Sequence, residues 1–134
     1  MEIDITGTPQ PQARPRTYMR GESPVTWSPH SDWRRQVYTH MFINRPRMPL
    51  EGCLTVSLTF RMPKPKSARK SQFWANKRPD WDNLAKAVID AAQDARWIKD
   101  DGQIVSASIR KRYPTVYEVP GCHIKIEVLA YDTE

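Results

Sequence analysis

The sequence predicts an α+β domain, a small mixed β-sheet flanked by helices in the order β-α-β-α-β-β. Apolar and polar residues alternate over 54–61, 103–112 and 122–130, the period of half-buried strands. They recur at steps of three and four over about 28–44 and 82–95, the period of amphipathic helices. Their order shows no internal repeat and suggests a mixed sheet with helices packed on it. At 134 residues the chain has the size of one domain, 1–134, long enough to bury a core and short for two.

The first strand is EIDIT, with Ile3 and Ile5 on one face and Gly7 ending it. GTPQPQARPRTYMRGESP follows, rich in proline and carrying Arg14, Arg16 and Arg20, and is expected to hold no regular structure. Ser28-Pro29 reads as an N-cap with proline at the first helical position, and Trp33, Val37 and Met41 with Tyr38 and Phe42 continue a helix to about Asn44. Pro46 and Pro49 stop it. In the next strand Leu54, Val56, Leu58 and Phe60 alternate with Thr55, Ser57, Thr59 and Arg61. MPKPKSARKSQFWANKRP is expected to be a mobile loop, with Lys64, Lys66, Arg69, Lys70, Lys77 and Arg78 around Phe73 and Trp74. Asp82 to Ala95 is a helix with Leu84, Val88, Ala91, Ala92 and Ala95 on its apolar face. Two strands close the chain, with Val105, Ala107 and Ile109 inward on one and Ile124, Ile126 and Val128 inward on the other.

The net charge is +6 and the pI near 9.5, so a polyanion is the expected partner. Nucleic acid ranks ahead of anionic lipid because no basic amphipathic helix is present. No apolar run approaches the roughly 18 residues of a membrane span. MEIDITGTPQ lacks the charged-then-apolar pattern of a signal peptide, so a soluble, cytoplasmic protein without a membrane partner is expected. Cys53 and Cys122 have neither zinc-site nor disulfide spacing and are read as buried thiols.

Against this basic background, RPDWDNLAKAVIDAAQDARWIKDD, residues 78–101, holds six aspartates against four basic residues. The stretch is therefore −2 and the rest of the chain +8. Asp80 and Asp82 are two residues apart where the chain enters a helix, so in extended backbone both carboxylates project to one side. At about 100° per residue, Asp82, Lys86 and Asp90 lie at roughly 0°, 40° and 80° around that helix, opposite its apolar arc. Asp100 and Asp101 can return toward the helix start if Trp97 and Ile98 pack back onto the sheet. Gathered carboxylates repel one another unless a cation is present. All-oxygen ligands favour a hard ion, and Mg²⁺ keeps waters and accepts phosphate oxygens, which beside basic loops points to phosphodiester chemistry. Other readings of the same residues stand. Asp82 fits a helix N-cap, Asp100-Asp101-Gly102 an ordinary turn, and Lys86 with Asp82 and Asp90 a row of surface ion pairs. Asp94 reads as a solvated charge without a role.

RPDWDNLAKAVIDAA and WIKDDGQIV resemble the pattern of RusA-type Holliday junction resolvases, in which K/R-P-D-x-D-N-L-x-K-A-x-x-D opens a helix and K-D-D-x-Q precedes a strand. GTPQPQARPR is similar to that family's G-x-P-x-P-x-x-RPR, and VTWSPHSDW to its Y-T-P segment, so the likeness covers roughly residues 5 to 110. Two positions depart: Gly102 stands where a small polar residue is usual, and Pro79 where some members place a basic one. The resemblance implies a homodimeric, Mg²⁺-dependent endonuclease, with Mn²⁺ able to substitute, that cuts four-way DNA junctions by paired symmetric nicks. By position it implies Asp80, Asp82 and Asp101 as metal ligands with Asp100 sharing the task, Lys86 as the catalytic lysine, Asp90 as support for Lys86, and Asn83 and Gln103 as positioning residues. Arg14, Arg16, Arg69, Lys70, Lys77 and Arg78 would hold phosphates. Phe73 and Trp74 would wedge into the open centre of a junction or anchor the loop. The rival readings are a non-catalytic, structure-selective junction-binding protein and a Mg²⁺-dependent phosphatase or nucleotidyl enzyme; no Gly-rich phosphate loop supports the last.

Overall fold

The computed structural model describes residues 1–13, 16–27 and 31–130. Its elements are β1 (Glu2–Thr6), β2 (Arg16–Arg20), β3 (Ser23–Trp27), α1 (Asp32–Ile43), β4 (Leu54–Arg61), α2 (Trp81–Asp94), a 3-10 turn (Asp101–Gln103), β5 (Ile104–Arg112) and β6 (Gly121–Val128). Four strands form a mixed sheet in the order β1-β6-β4-β5, with β4 parallel to β5 and the other pairs antiparallel. The parallel pair is joined through α2, and the chain order and α+β class match the expectation apart from one added hairpin.

That hairpin is β2 and β3, paired from Arg16↔Trp27 to Arg20↔Ser23, in the segment expected to lack regular structure. Its residues 17–20 are exposed, so there is no apolar alternation to read. The turn is made possible by Gly21, whose φ of +66° suits glycine. Ser28 and Pro29 lie outside the described residues, and α1 is capped three residues later, where the Ser31 hydroxyl accepts from the Arg34 amide at 3.1 Å.

Both helices cover one face of the sheet. Leu54, Val56, Leu58 and Phe60 from β4 and Ile124 and Ile126 from β6 meet Trp33, Val37 and Met41 of α1 and Leu84, Val88, Ala91 and Ala92 of α2. Trp97 and Ile98 join this core, and the Trp97 indole donates to the Met41 carbonyl. The turn after α2 is thereby folded back, with the Leu50 amide donating to the Trp97 carbonyl at 2.9 Å. Asp94 has a partner after all: its carboxylate meets buried Arg34 at 2.6 Å and ties α2 to α1.

Expectations for the last two strands, for one cysteine and for the basic loop are corrected. Val105 is 60% exposed, because a register shift pairs Leu54 with Ile104 and Thr55 with Ser106, leaving Val105 without an opposite residue. Ala107 is exposed and Ile109 half-buried, so this edge strand is only partly covered, while Val128 ends β6 exposed. Cys122 is buried, and burial pushes its thiol pKa up, but Cys53 is exposed. The basic loop after β4 is pinned: Ala75 is buried and donates to the Lys111 carbonyl, and the Tyr113 amide donates to the Phe73 carbonyl at 2.8 Å.

The other sheet face is polar and knit by ion pairs. Arg61, 6% exposed, holds the Asp4 carboxylate with two bonds of 2.8 and 3.0 Å, and Arg112 holds Glu118 in the same way. The Arg112 guanidinium, with the Thr115 amide, brings the Glu118 pKa down to about 2.

Candidate active site

Two aspartates stand at the start of α2, placed there by three local features. Pro79 ends the incoming loop, Asp80 takes the N-cap position in extended backbone, and Asp82 falls in the first turn. The Asp80 side chain makes no capping bond, and among the described residues the Asp82 carboxylate accepts only its neighbour's amide, Asn83, at 3.0 Å. Neither aspartate is therefore consumed as a helix cap. Lys86 is exposed and closes no ion pair among the described residues, which sets aside the row of surface ion pairs.

Asp82, Lys86 and Asp90 line one groove of about 390 Å³ together with Asp101 from the 3-10 turn. Trp81, Ile89 and Ile109 supply its apolar wall. The fold-back of Trp97 and Ile98 brings Asp101 to the helix edge that bears the lysine, the return expected if those two residues packed onto the sheet. Asp80 lies across the helix start, in an adjoining depression of about 540 Å³ with Arg78, Asn83 and Gln12. Among the described residues no three His, Cys, Asp or Glu side chains stand close enough together to hold a metal ion.

The turn bearing Asp101 is built by its neighbours. The Asp100 carboxylate accepts from the Gly102 amide at 2.9 Å, and Gln103 closes a capping box by accepting from the Asp100 amide at 3.0 Å. Gln103 also accepts from the Lys99 amide and donates to the carbonyls of Leu50 and Gly52. Gln93 of α2 accepts from the Asp101 amide at 3.1 Å. Asp100 is thus occupied locally, whereas the Asp101 side chain has no hydrogen-bond partner among the described residues.

Asp90 is half-buried, and burial pushes its carboxyl above the usual range. Arg34 and Lys86 oppose that rise; Asp94 and Asp101 add to it. Its oxygen accepts from the Gln12 side chain at 3.0 Å, while the Gln12 amide donates to the Asn83 carbonyl at 3.1 Å. Gln12 thereby joins the N-terminal segment to the acidic edge of α2. Sequence reading passed over Gln12, since nothing in PQPQARPR marks it. Lys111 was also missed: its ammonium bonds the carbonyls of Lys77 and Pro79, both at 2.6 Å, and straps down the approach to Asp80. A lysine two residues beyond Ile109, on the apolar side of a strand, was the available signal.

Of the phosphate-binding candidates, Arg69, Lys70, Lys77 and Arg78 are exposed, on the strapped loop. Arg14 and the side chain of Arg16 lie outside the described residues. Phe73 and Trp74 meet edge to face at 4.9 Å and remain about half exposed. No helix among the described residues is long and apolar enough to cross a membrane.

No curated protein matches this chain. A family model described as endodeoxyribonuclease RusA matches residues 6–127, a span that runs from the end of β1 to the end of β6 and takes in the whole acidic groove. On that match the chain belongs to the RusA endodeoxyribonuclease family, the nucleases that resolve Holliday junctions.

Proposed function

We propose that the chain cuts four-way DNA junctions as a Mg²⁺-dependent homodimer, with Asp80, Asp82 and Asp101 holding the metal and Lys86 acting on the phosphate. The observation that carries this reading is the groove that the Asp82 and Asp101 carboxylates share with Lys86, whose ammonium has no ion-pair partner among the described residues. The donors fit a hard divalent ion: they are exposed, all oxygen, and largely free of protein hydrogen bonds. Mg²⁺ held there, or Mn²⁺ in its place, would supply the Lewis acidity that lowers the pKa of a bound water and stabilises the leaving oxygen.

The protein groups have separate tasks. Lys86 places a cation where charge develops on the phosphoryl oxygens. Asp90, held by Gln12, lines the same groove as Lys86 and supports it there. Gln103 and Asp100 fix the turn so that Asp101 faces the groove. Arg69, Lys70, Lys77 and Arg78 hold backbone phosphates along the loop, and Arg14 and Arg16 add further basic charge for the same task. One chain offers one groove and a junction needs two cuts, so two copies related by a two-fold axis match the substrate. Incubating the protein with a synthetic four-way junction in Mg²⁺ and in EDTA tests the proposal. Symmetric nicks in Mg²⁺ alone are expected; tight binding without nicking in either condition would leave a binding protein instead.

A further inference from the structure

Pro9, Arg78 and Pro79 line the Asp80 depression on one side and a second pocket, of about 340 Å³, on the other. Met62, Ala75 and Tyr113, each more than nine-tenths buried, form the base of that second pocket. Pro65, with Pro9 and Pro79, adds flat apolar walls. Thr8, Lys77 and Arg78 stand exposed at the mouth. None of the described lining residues is acidic, in contrast to the groove one helix edge away.

The pocket is held open by the fold. Lys111 straps the carbonyls of Lys77 and Pro79 at the rim, while the Ala75 amide at the base bonds the Lys111 carbonyl at 3.0 Å. A ligand entering it meets little reorganisation cost. An apolar interior rejects a phosphate, yet two cations at the mouth attract phosphates outside it. A flat heteroaromatic ring attached to a phosphodiester chain satisfies both conditions: the ring packs between the proline walls and the chain runs past Lys77 and Arg78. Because the pocket shares its wall with the Asp80 depression, a ring bound there belongs to a nucleotide next to the phosphate presented to Asp80. The centre of a four-way junction offers bases whose stacking is already interrupted, and these are the least costly to extrude.

The geometry points to this pocket as the seat of one unstacked nucleobase of the cut strand, bordering the scissile phosphate, and so as a determinant of where the nuclease cuts. The inference rests on the proposed placement of the cleavage site at Asp80, Asp82 and Asp101. It is tested with an intact junction and two junctions carrying an abasic site on either side of the cut, each given to the wild-type protein and to Thr8→Trp. Thr8 is exposed, so a large ring there plugs the mouth without disturbing the core. Wild type should cut one of the two abasic junctions about tenfold more slowly than the intact one in single turnover, the scale of one lost stacking contact, with little change in metal-free affinity. Thr8→Trp should be slowed to a similar degree on the intact junction and lose nothing further on the abasic one, because the pocket and the base form one interaction. Equal wild-type rates on all three junctions would overturn the inference, as would full activity of Thr8→Trp or slowing that multiplies between protein and substrate. A wild-type protein that cuts no junction would overturn the proposed function, and the pocket assignment with it.

Discussion

Asp80 and Lys86 differ in what their removal should do. Replacing Asp80 by Asn keeps size and hydrogen-bonding ability but removes the charge, and since Asp80 makes no capping bond the helix loses little. Nicking should fall well beyond about tenfold, while junction affinity holds or rises because a charge opposing the phosphates is gone. Lys86→Ala should slow cleavage with little change in measured Mg²⁺ affinity, as Lys86 is no ligand. Single-turnover cleavage, filter binding and metal titration on both variants check this pair, and an Asp80→Asn protein nicking at the wild-type rate would remove Asp80 from the site.

At the level of elements, α2 and the turn after it act as one device, and Gln103 joins its parts. Gln103→Ala loses bonds to the amides of Lys99 and Asp100 and to the carbonyls of Leu50 and Gly52. A stability loss of about 2 kcal/mol in urea unfolding is expected, with a larger proportional loss of cleavage because Asp101 is no longer aimed. The polar sheet face carries a pH-dependent term. Glu118 falls from its ordinary 4.5 to about 2 in the folded chain, so the stability it adds is complete above 4.5 and is lost as pH falls through about 2. Glu118→Gln should flatten the acid limb of the unfolding curve over that window; an unchanged limb would show that the Arg112 pair contributes nothing. These elements differed in how well the sequence announced them. The apolar stripe of α2 and the alternation of β4 are imposed by burial on one side, and burial leaves a period. The β2–β3 hairpin is exposed along 17–20 and leaves none, though Gly21 marks its turn. Val105 was misplaced by a register shift, which no periodicity foresees. The acidic edge could be read because charge confined to one arc of a helix is itself a pattern, whereas Gln12 and Lys111 act across distances of 78 and 34 or fewer residues that only the fold closes.

For the whole molecule, charge and the proposed two-fold pairing set the expected behaviour. With a net charge of +6 and an exposed basic loop, junction affinity should weaken by roughly a thousandfold between about 50 and 200 mM salt if about six phosphates are contacted. Sedimentation should find a dimer at working concentrations, and mixing wild-type with inactive subunits should leave junctions nicked on one strand. A monomer making both cuts would remove the two-fold arrangement. In the proposed mechanism the carboxylates around the start of α2 act on DNA through a hard divalent ion. Titrating Mg²⁺ into a single-turnover reaction on a four-way junction tests it most directly: cleavage should be absent in EDTA, rise to saturation with Mg²⁺, be supported by Mn²⁺ and not by Zn²⁺, whereas undiminished cutting in EDTA would contradict it.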